Sequence, residues 1–452
     1  MNIIIAGDGK VGAALTRQLS AEGCNITIID SDPEVLEDSS SRYDVFCVQG
    51  NCASMRVLQQ ANVMDADLLI ASTSADEINL LCCTTAYALN PRIHTIARIR
   101  NPEYTDQIFQ LRSVFGLSMS VNPERQAAEE TARLIKYPGF LRRDVFAKGR
   151  TEIVELRLDA SSKLCNTALT DIGSIVKCRV LVCAVLRDGV AQVPSGNFVL
   201  RQGDRIFVTA PRENLTKLLK NLGIITRKAR SVMLVGGSRI SHYLSQLLEQ
   251  EGIHVKLIDS NPAKCRELAS MLSDTDIICA DGSDIEVLES EGLADVDTLV
   301  SLTGMDELNM IISLYGISQG VPQVITKMDH VDSRSILDRL NLGSVICPKD
   351  LCSNHIVRYV RAMQNQVGAA VSVHAIADGQ VEAMEFLVDE HTPGCGIPLK
   401  DLKTKANVLI ATITRGSTTI IANGLSDFRK GDTIVVVTTS RGVIRQIGDI
   451  FA

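Results

Sequence analysis

Short continuous apolar runs alternate with stretches whose apolar positions recur at helical spacing, beginning at the first residues. Asn2-Ile3-Ile4-Ile5-Ala6 predicts a buried parallel strand. It breaks at Gly7-Asp8-Gly9-Lys10-Val11-Gly12 into a helical stretch over 13–19, then a strand over 25–29 that leads to Asp30. Asp32-Pro33 reads as an N-cap and first helical position, starting a helix to about Arg42. Strands at 45–48, 68–71 and 93–98 then alternate with helices at 55–61 and 78–88. This order predicts a doubly wound parallel sheet over 1–121. Its ligand crevice should lie at the carboxyl ends of the strands: residues 7–12, Asp30-Ser31, Gly50-Asn51, Ser72-Thr73-Ser74 and Arg98.

The pattern then changes. A helix from Pro123 to Tyr137, with Ala127, Ala128, Ala132, Leu134 and Ile135 near helical spacing, stops at Pro138-Gly139. After it come alternating strands at 153–158 and 180–186, a short helical piece ending at Ile172, and a Gly203-Asp204 turn into a strand at 205–208. This is a small β-rich α+β module, too short for a catalytic domain of its own. Segments 142–150, 221–231 and 364–370 read as linkers, and Arg227-Lys228-Arg230 as a solvated basic run.

Sliding the chain on itself shows that all of this occurs twice, at an offset of about 230 residues. Ile28-Ile29-Asp30-Ser31-Asp32-Pro33 matches Leu257-Ile258-Asp259-Ser260-Asn261-Pro262, and Asp76-Glu77-Ile78-Asn79 matches Asp306-Glu307-Leu308-Asn309. Arg201-Gln202-Gly203-Asp204 matches Arg429-Lys430-Gly431-Asp432. The second copy of the long helix starts at Pro348 and runs through Ile356, Val357, Val360 and Met363.

The glycines of the first turn fall where a nucleotide requires them. Gly7 permits the tight exit from the strand, Gly9 the approach of a pyrophosphate, and Gly12 close helix–strand packing. Asp30, at the end of the next strand, suits the adenosine ribose hydroxyls and would repel the extra phosphate of NADP, which favours NAD. In the second half Gly236-Gly237-Ser238-Arg239-Ile240-Ser241 keeps the first glycine, but Ser238 and Ser241 replace the other two. Asp259 remains, and Lys327 stands where the first half has Arg98. The expectation is of unequal halves: the first senses NAD, the second binds weakly or not at all.

Composition narrows the classes. The 452 residues leave room for roughly three domains of ordinary size. A net charge of -7 and 4% aromatics, without Trp, argue against nucleic acid as a partner. No apolar stretch is long enough for a membrane span and no signal peptide opens the chain, so a soluble molecule is expected. Thirteen Cys are scattered without a Cys-x-x-Cys pair; Cys47, Cys183 and Cys279 lie in apolar runs and are expected to be buried thiols in a reducing cytosol. Acidic pairs such as Asp274/Asp276 and Asp295/Asp297 read as solvated carboxylates, and no metal ligands are assigned.

Three functions stay open on the residues: a ligand-gated regulator, an NAD-dependent dehydrogenase and a ligand-free scaffold. A dehydrogenase needs an acid/base group facing the nicotinamide. Of the seven His, only His94 falls in the half with the intact glycine motif, and it enters a strand. The dehydrogenase is therefore the weaker reading.

Residues 7–12, Asp30, Gly50-Asn51, Asp65-Ala66-Asp67 and Asp76-Glu77-Ile78-Asn79 together resemble the RCK/KTN domain of potassium channels and transporters. The small modules resemble the RCK C-terminal (TrkA-C) domain. The whole is similar to the peripheral regulatory subunits of bacterial Trk-type potassium uptake systems. The resemblance implies two tandem Rossmann-like nucleotide-binding RCK-N domains (1–121 and 231–347), each followed by a crossover helix and linker (122–150 and 348–370) and a small α+β RCK-C domain (151–225 and 371–452). It implies a non-enzyme that binds NAD(H), or ATP/ADP, and gates a TrkH/TrkG-like membrane potassium-translocating subunit. The chain would form a dimer or tetramer ring, cytoplasmic and peripheral to the membrane. By position, Gly7, Asp8, Gly9, Lys10 and Val11 would cradle the phosphates and Asp30 would take the ribose. Asn51 and Cys52 would lie near the adenine, Thr73 and Ser74 at the fourth-strand lip, and Arg98 near the phosphates. Gly236, Gly237, Ser238, Arg239, Ile240 and Asp259 are the second-half counterparts. The resemblance also implies that the crossover helices, 124–137 and 349–363, are association elements that bridge a dimer by packing against a neighbouring RCK domain. Ligand binding would close the 7–12 loop toward Thr73.

Overall fold

The computed structural model describes residues 1–136, 141–160, 162–222, 229–329, 342–364, 370–439, 444 and 446–451. The expected stop at Tyr137-Pro138-Gly139 and most of the 221–231 and 364–370 linkers lie outside the described residues. Among the described residues, no helix is long and apolar enough to cross a membrane.

The first sheet contains β1 (Asn2–Ala6), β2 (Asn25–Asp30), β3 (Phe46–Gln49), β4 (Leu68–Ala71), β5 (His94–Arg98) and β6 (Met119–Val121). They lie parallel in the order β3-β2-β1-β4-β5-β6, so the chain reverses direction between β1 and β4. That reversal opens a crevice at the carboxyl ends, where residues 7–12 sit. Ile3, Ile4, Ile5, Leu69 and Ile70 are at most 1% exposed, as strands covered on both faces require. The helix Pro33–Arg42 starts as expected: the Asp32 carboxylate accepts from the Glu34 N–H at 2.9 Å and proline takes the first turn.

The first small module is an antiparallel sheet of β7 (Arg142–Phe146), β8 (Thr151–Arg157), β9 (Leu181–Arg187), β10 (Val190–Gln192) and β11 (Arg205–Pro211), ordered β10-β9-β11-β8-β7. The expected linker at 142–150 is thus largely a strand. Its charged Arg142-Arg143-Asp144 run hid it, because these side chains pair across to buried partners: Arg143 Nε donates to Glu152 at 2.7 Å, and both residues are under 10% exposed. The helical piece expected to end at Ile172 instead begins there, as Ile172–Val176. Helices Pro102–Leu111 and Arg212–Leu222 were not foreseen.

The second half repeats both sheets. Strands β12 (Ser231–Val235), β13 (His254–Asp259), β14 (Thr275–Cys279), β15 (Thr298–Ser301), β16 (Gln323–Lys327) and β17 (Ser344–Ile346) take the order β14-β13-β12-β15-β16-β17. Strands β18 (Ala370–Ile376), β19 (Val381–Leu387), β20 (Val408–Arg415), β21 (Thr418–Ile421) and β22 (Thr433–Thr438) form the second antiparallel sheet. The two antiparallel sheets share one core, in which Phe146, Ile153 and Phe207 pack with Ile376, Val381 and Val437.

In space the chain forms two compact units, and they do not follow the repeat. The first is Met1–Glu129 with His242–Leu244 and Cys347–Val360; the second holds the rest. The crossover helix Pro348–Gln364 of the second half therefore packs on the first Rossmann sheet: Gln18 Nε2 donates to Asn354 at 3.3 Å, and His94 Nδ1 lies 2.9 Å from the Tyr359 hydroxyl. In the second unit the end of helix Pro123–Lys136 does the same for the other sheet. Gln323 Nε2, buried, donates to the Leu134 carbonyl at 2.8 Å, and Lys136 pairs with Glu251 at 3.1 Å. Both helices pack within the chain, each on the sheet of the other half, whereas the role expected of them is to bridge two subunits.

Asp144 is buried where the two antiparallel sheets meet. Burial raises its carboxyl pKa, but Arg142, paired at 3.0 Å, and His374, at 2.9 Å, outweigh that and bring it down to about 2. The folded pKa lies below the unfolded one, so this contribution is present above the unfolded value and lost as pH falls through the folded value. We expect about 2 kcal/mol of stability to disappear between about pH 4 and pH 2. Asp144→Asn should flatten denaturant-midpoint stability across that window.

Candidate functional site

The first crevice is built on a turn that has no room to change. Gly7 has a φ of +91°, and a Cβ there would come within 2.8 Å of the Thr73 Cα and N. At Gly12 a Cβ would lie 2.1 Å from the Gly7 carbonyl oxygen. The turn is thus already seated against β4, and the expected closure toward Thr73 has no distance left to travel at Gly7. Gly9 is the N-cap of helix Lys10–Ala21, and among the described residues no side chain caps that helix. Its first-turn amides and dipole are directed at the crevice, which suits an anion.

Asp30 does two jobs. One carboxylate oxygen accepts from the Asp8 N–H at 2.8 Å and the other from the Asp32 N–H at 3.0 Å. The acid that faces the expected ribose position therefore also anchors the glycine turn. Asp8 itself points inward. It is 4% exposed and accepts from Ser39 on one helix and from Thr16, at 3.3 Å, on the other. Burial raises its pKa against the pull of those hydroxyls. Only its backbone can serve a phosphate. Lys10 and Asn51 are exposed, and Val11 is buried in the helix packing. Cys52, expected near the adenine, is buried in the core cluster that also holds Val57 and Leu58, and the Cys82 thiol lowers its pKa.

The opposite lip is a polar clamp. Asn79 Oδ1 accepts from the Thr73 N–H at 2.8 Å and its hydroxyl at 2.7 Å, while Asn79 Nδ2 donates to the Arg98 carbonyl at 2.9 Å. Asp76 accepts from the Arg100 and Asn101 N–H groups at 2.8 and 2.7 Å. The Asp-Glu-x-Asn repeat is thereby explained: it ties β4 to β5. Arg98 donates from one terminal nitrogen to the Thr73 carbonyl at 2.6 Å, and its buried Nε has no hydrogen-bond partner among the described residues. Burial, then the neighbouring Arg100, pull its pKa below the usual guanidinium value. Arg100 reaches the exposed Ser74 carbonyl and lies 3.9 Å from Glu124. Cys352, fully buried on helix Pro348–Gln364, feels the Arg98 charge. Sequence reasoning missed Arg100 and the Asn79 clamp. The repeat of Asn79 as Asn309 was the available signal.

The second crevice has the same frame with different contents. Gly236 meets Leu302 and Thr303 as Gly7 meets Thr73, and Asp259 accepts from the Gly237 and Asn261 N–H groups at 2.6 and 2.8 Å. A Cβ at Gly237 would meet Asp259 and Leu268 at 3.0 Å, so the inward strut of Asp8 has no counterpart. Ser238 and Ser241 form a capping box at the start of helix Arg239–Gln250, each accepting from the other's N–H at 3.3 Å. The Ser241 hydroxyl also donates to the Gly236 carbonyl, where the first turn has no room for a methyl. Arg239 is exposed and Ile240 buried. Lys327 is 9% exposed and pairs with Asp329 at 3.1 Å, so an ion pair stands where the first half has two arginines. His254, whose Nε2 lies 3.3 Å from an Asp276 carboxylate oxygen, and His94 both stand at the amino ends of their strands, away from either crevice.

Gly12→Ala should cost roughly 1–3 kcal/mol by overpacking. The expected readout is a lower unfolding midpoint, whereas an unchanged midpoint would show that the turn can yield.

Two family models match the chain twice each: the TrkA-N domain over residues 3–121 and 232–348, and the TrkA-C domain over 153–223 and 383–451. Among similar proteins are a Trk system potassium uptake protein TrkA homolog of Archaeoglobus fulgidus, 30% identical and covering 96% of this chain and 97% of that one, and the Trk system potassium uptake protein TrkA of Vibrio alginolyticus, 28% identical over 100% and 98%. Among solved structures, the GsuK RCK domain superposes with a TM-score of 0.61 at 14% identity, over 97% of this chain and 92% of that one. The GsuK channel bound to NAD also gives 0.61 at 14% identity, over 97% and 77%. Two tandem Rossmann-like TrkA-N domains, each followed by an antiparallel TrkA-C domain, make this chain a member of the TrkA family.

Proposed function

We propose that the chain is a nucleotide-sensing regulatory subunit. It holds NAD(H) in the first crevice, with ATP or ADP as competing occupants. It gates a TrkH/TrkG-like membrane potassium-translocating subunit from the cytoplasmic face. It assembles as a ring of dimeric or tetrameric stoichiometry and performs no chemistry on its ligand.

The observation that carries this reading is the helix start at Gly9, uncapped by any side chain and set between Asp30 and the Arg98–Arg100 pair. An adenosine diphosphate moiety has the matching chemistry: ribose hydroxyls for the acid, phosphate oxygens for the amides and guanidiniums. The names of the relatives support the potassium assignment, and GsuK has been solved bound to NAD and bound to ADP.

Arg98 offers a route from ligand to shape. Its backbone belongs to β5, and its charge acts on Glu124 and Cys352, which belong to the two crossover helices. A phosphate that recruits Arg98 would change what those helices feel. Coupling of this kind amounts to about 1–3 kcal/mol per site and acts only through different affinities for two shapes.

Calorimetric titration of the full chain with NAD should give one site per chain, with affinity reduced at least tenfold in Asp30→Asn. NADH incubated with a panel of carbonyl compounds should keep its absorbance. No heat with NAD, NADH, ADP or ATP, or carbonyl-dependent oxidation of NADH, would contradict the reading. The membrane partner is tested by tagging the chain in its host and recovering a potassium transporter in mild detergent.

A further inference from the structure

The second half holds a pair of thiols that the nucleotide reading does not use. Cys279 is the last residue of β14, an edge strand, and is exposed rather than buried as its apolar run implied. It pairs in register with Asp259, the acid of the second crevice. Cys265 lies in the first turns of helix Pro262–Met271, is 6% exposed, and donates from Sγ to the Asp259 carbonyl at 3.2 Å. Both cysteines therefore meet at the same residue, Cys265 through the Asp259 carbonyl and Cys279 through the strand register. The equivalent places in the first half hold no thiols: Leu36 and Gln49 stand there, and Gln49 is the register partner of Asp30.

We propose that Cys265 and Cys279 form a thiol–disulfide switch, oxidised by a peroxide, that fastens helix Pro262–Met271 to the end of β14 at the Asp259 lip. The two thiols divide the work by exposure. Burial, helped by the neighbouring Cys279, pushes the Cys265 thiol up to about 11, so it stays protonated and unreactive until called on. The exposed Cys279 reacts first: its sulfur attacks one oxygen of hydrogen peroxide, the O–O bond breaks, and the sulfur becomes a sulfenic acid while the displaced hydroxide takes the thiol proton and leaves as water. The Cys265 sulfur then attacks the sulfenic sulfur, forming the S–S bond. Its thiol proton leaves with the displaced hydroxide as a second water. Two thiols and one peroxide become one disulfide and two waters, with the peroxide as the two-electron oxidant. A dithiol reductant reverses the step.

The pair is placed to matter. Asp259 is bonded to the Gly237 and Asn261 N–H groups, and both cysteines flank its backbone. A covalent tie there would stiffen the acidic lip of the second crevice and leave the first untouched. The proposal does not depend on either crevice holding a nucleotide.

The test treats the full chain with hydrogen peroxide, blocks remaining thiols, and maps peptides alongside amide hydrogen exchange. The expected result is a Cys265–Cys279 linked peptide that dithiothreitol reverses. Exchange should slow several-fold in Pro262–Met271 and stay unchanged in the equivalent first-half helix Pro33–Arg42. Cys279→Ser, at an exposed position that should not disturb folding, should abolish both effects. Oxidation of Cys279 to sulfinic or sulfonic acid with Cys265 still a thiol would overturn the proposal. So would linkage to any other cysteine, or linkage without slowed exchange in Pro262–Met271.

Discussion

A carboxylate bonded to backbone N–H groups sets the geometry of both crevices. Asp30 and Asp259 each stand at the end of a second strand, and each carboxylate bridges the glycine turn and the start of the following helix. Charge-assisted bonds of this kind are stronger than neutral ones, and here they fix a turn whose first glycine already touches the fourth strand. Neither the turn nor the acid can move far without the other. A ligand meeting this frame meets a preformed surface, which lowers the ordering cost of binding.

On that shared frame, a few substitutions give the halves different chemistry. Gly9 and Gly12 leave the first helix start bare, whereas Ser238 and Ser241 cap the second with the protein's own hydroxyls. The Arg98–Arg100 pair becomes the Lys327–Asp329 ion pair. Both changes act in the same direction, reducing the attraction of the second crevice for phosphate. The crossover helices then give the first crevice a physical link to the other half of the chain, since Cys352 lies within the field of Arg98. Because each helix packs on the other half's sheet, a nucleotide signal need not stay in the domain that receives it.

Much of this was legible in the sequence. The strand–turn–helix opening, the ordered repeat and the two sheet types follow from apolar period and glycine placement, and β1 through β5 fall within a residue or two of expectation. What escaped was long-range. Asp8 looked like a phosphate-loop residue, but Ser39 and Thr16 draw it inward. Cys52 turned to Cys82 for the same kind of reason. Strand β7 was hidden because its charged residues find partners on β8 and β18, which local polarity cannot reveal. Cys279 ends an apolar run, yet it lies at the end of an edge strand, and only sheet order makes it exposed.

The central claim is that bare helix amides, not the Rossmann frame itself, decide which crevice takes the nucleotide. The most direct measurement is NAD-binding stoichiometry of the full chain carrying Ser238→Gly and Ser241→Gly together. The account predicts that restoring the glycines raises the stoichiometry from one site per chain toward two, the new site being the weaker because Lys327 remains paired with Asp329. Two equal sites in the unaltered chain, or no second site in the variant when its fold is intact, would contradict it.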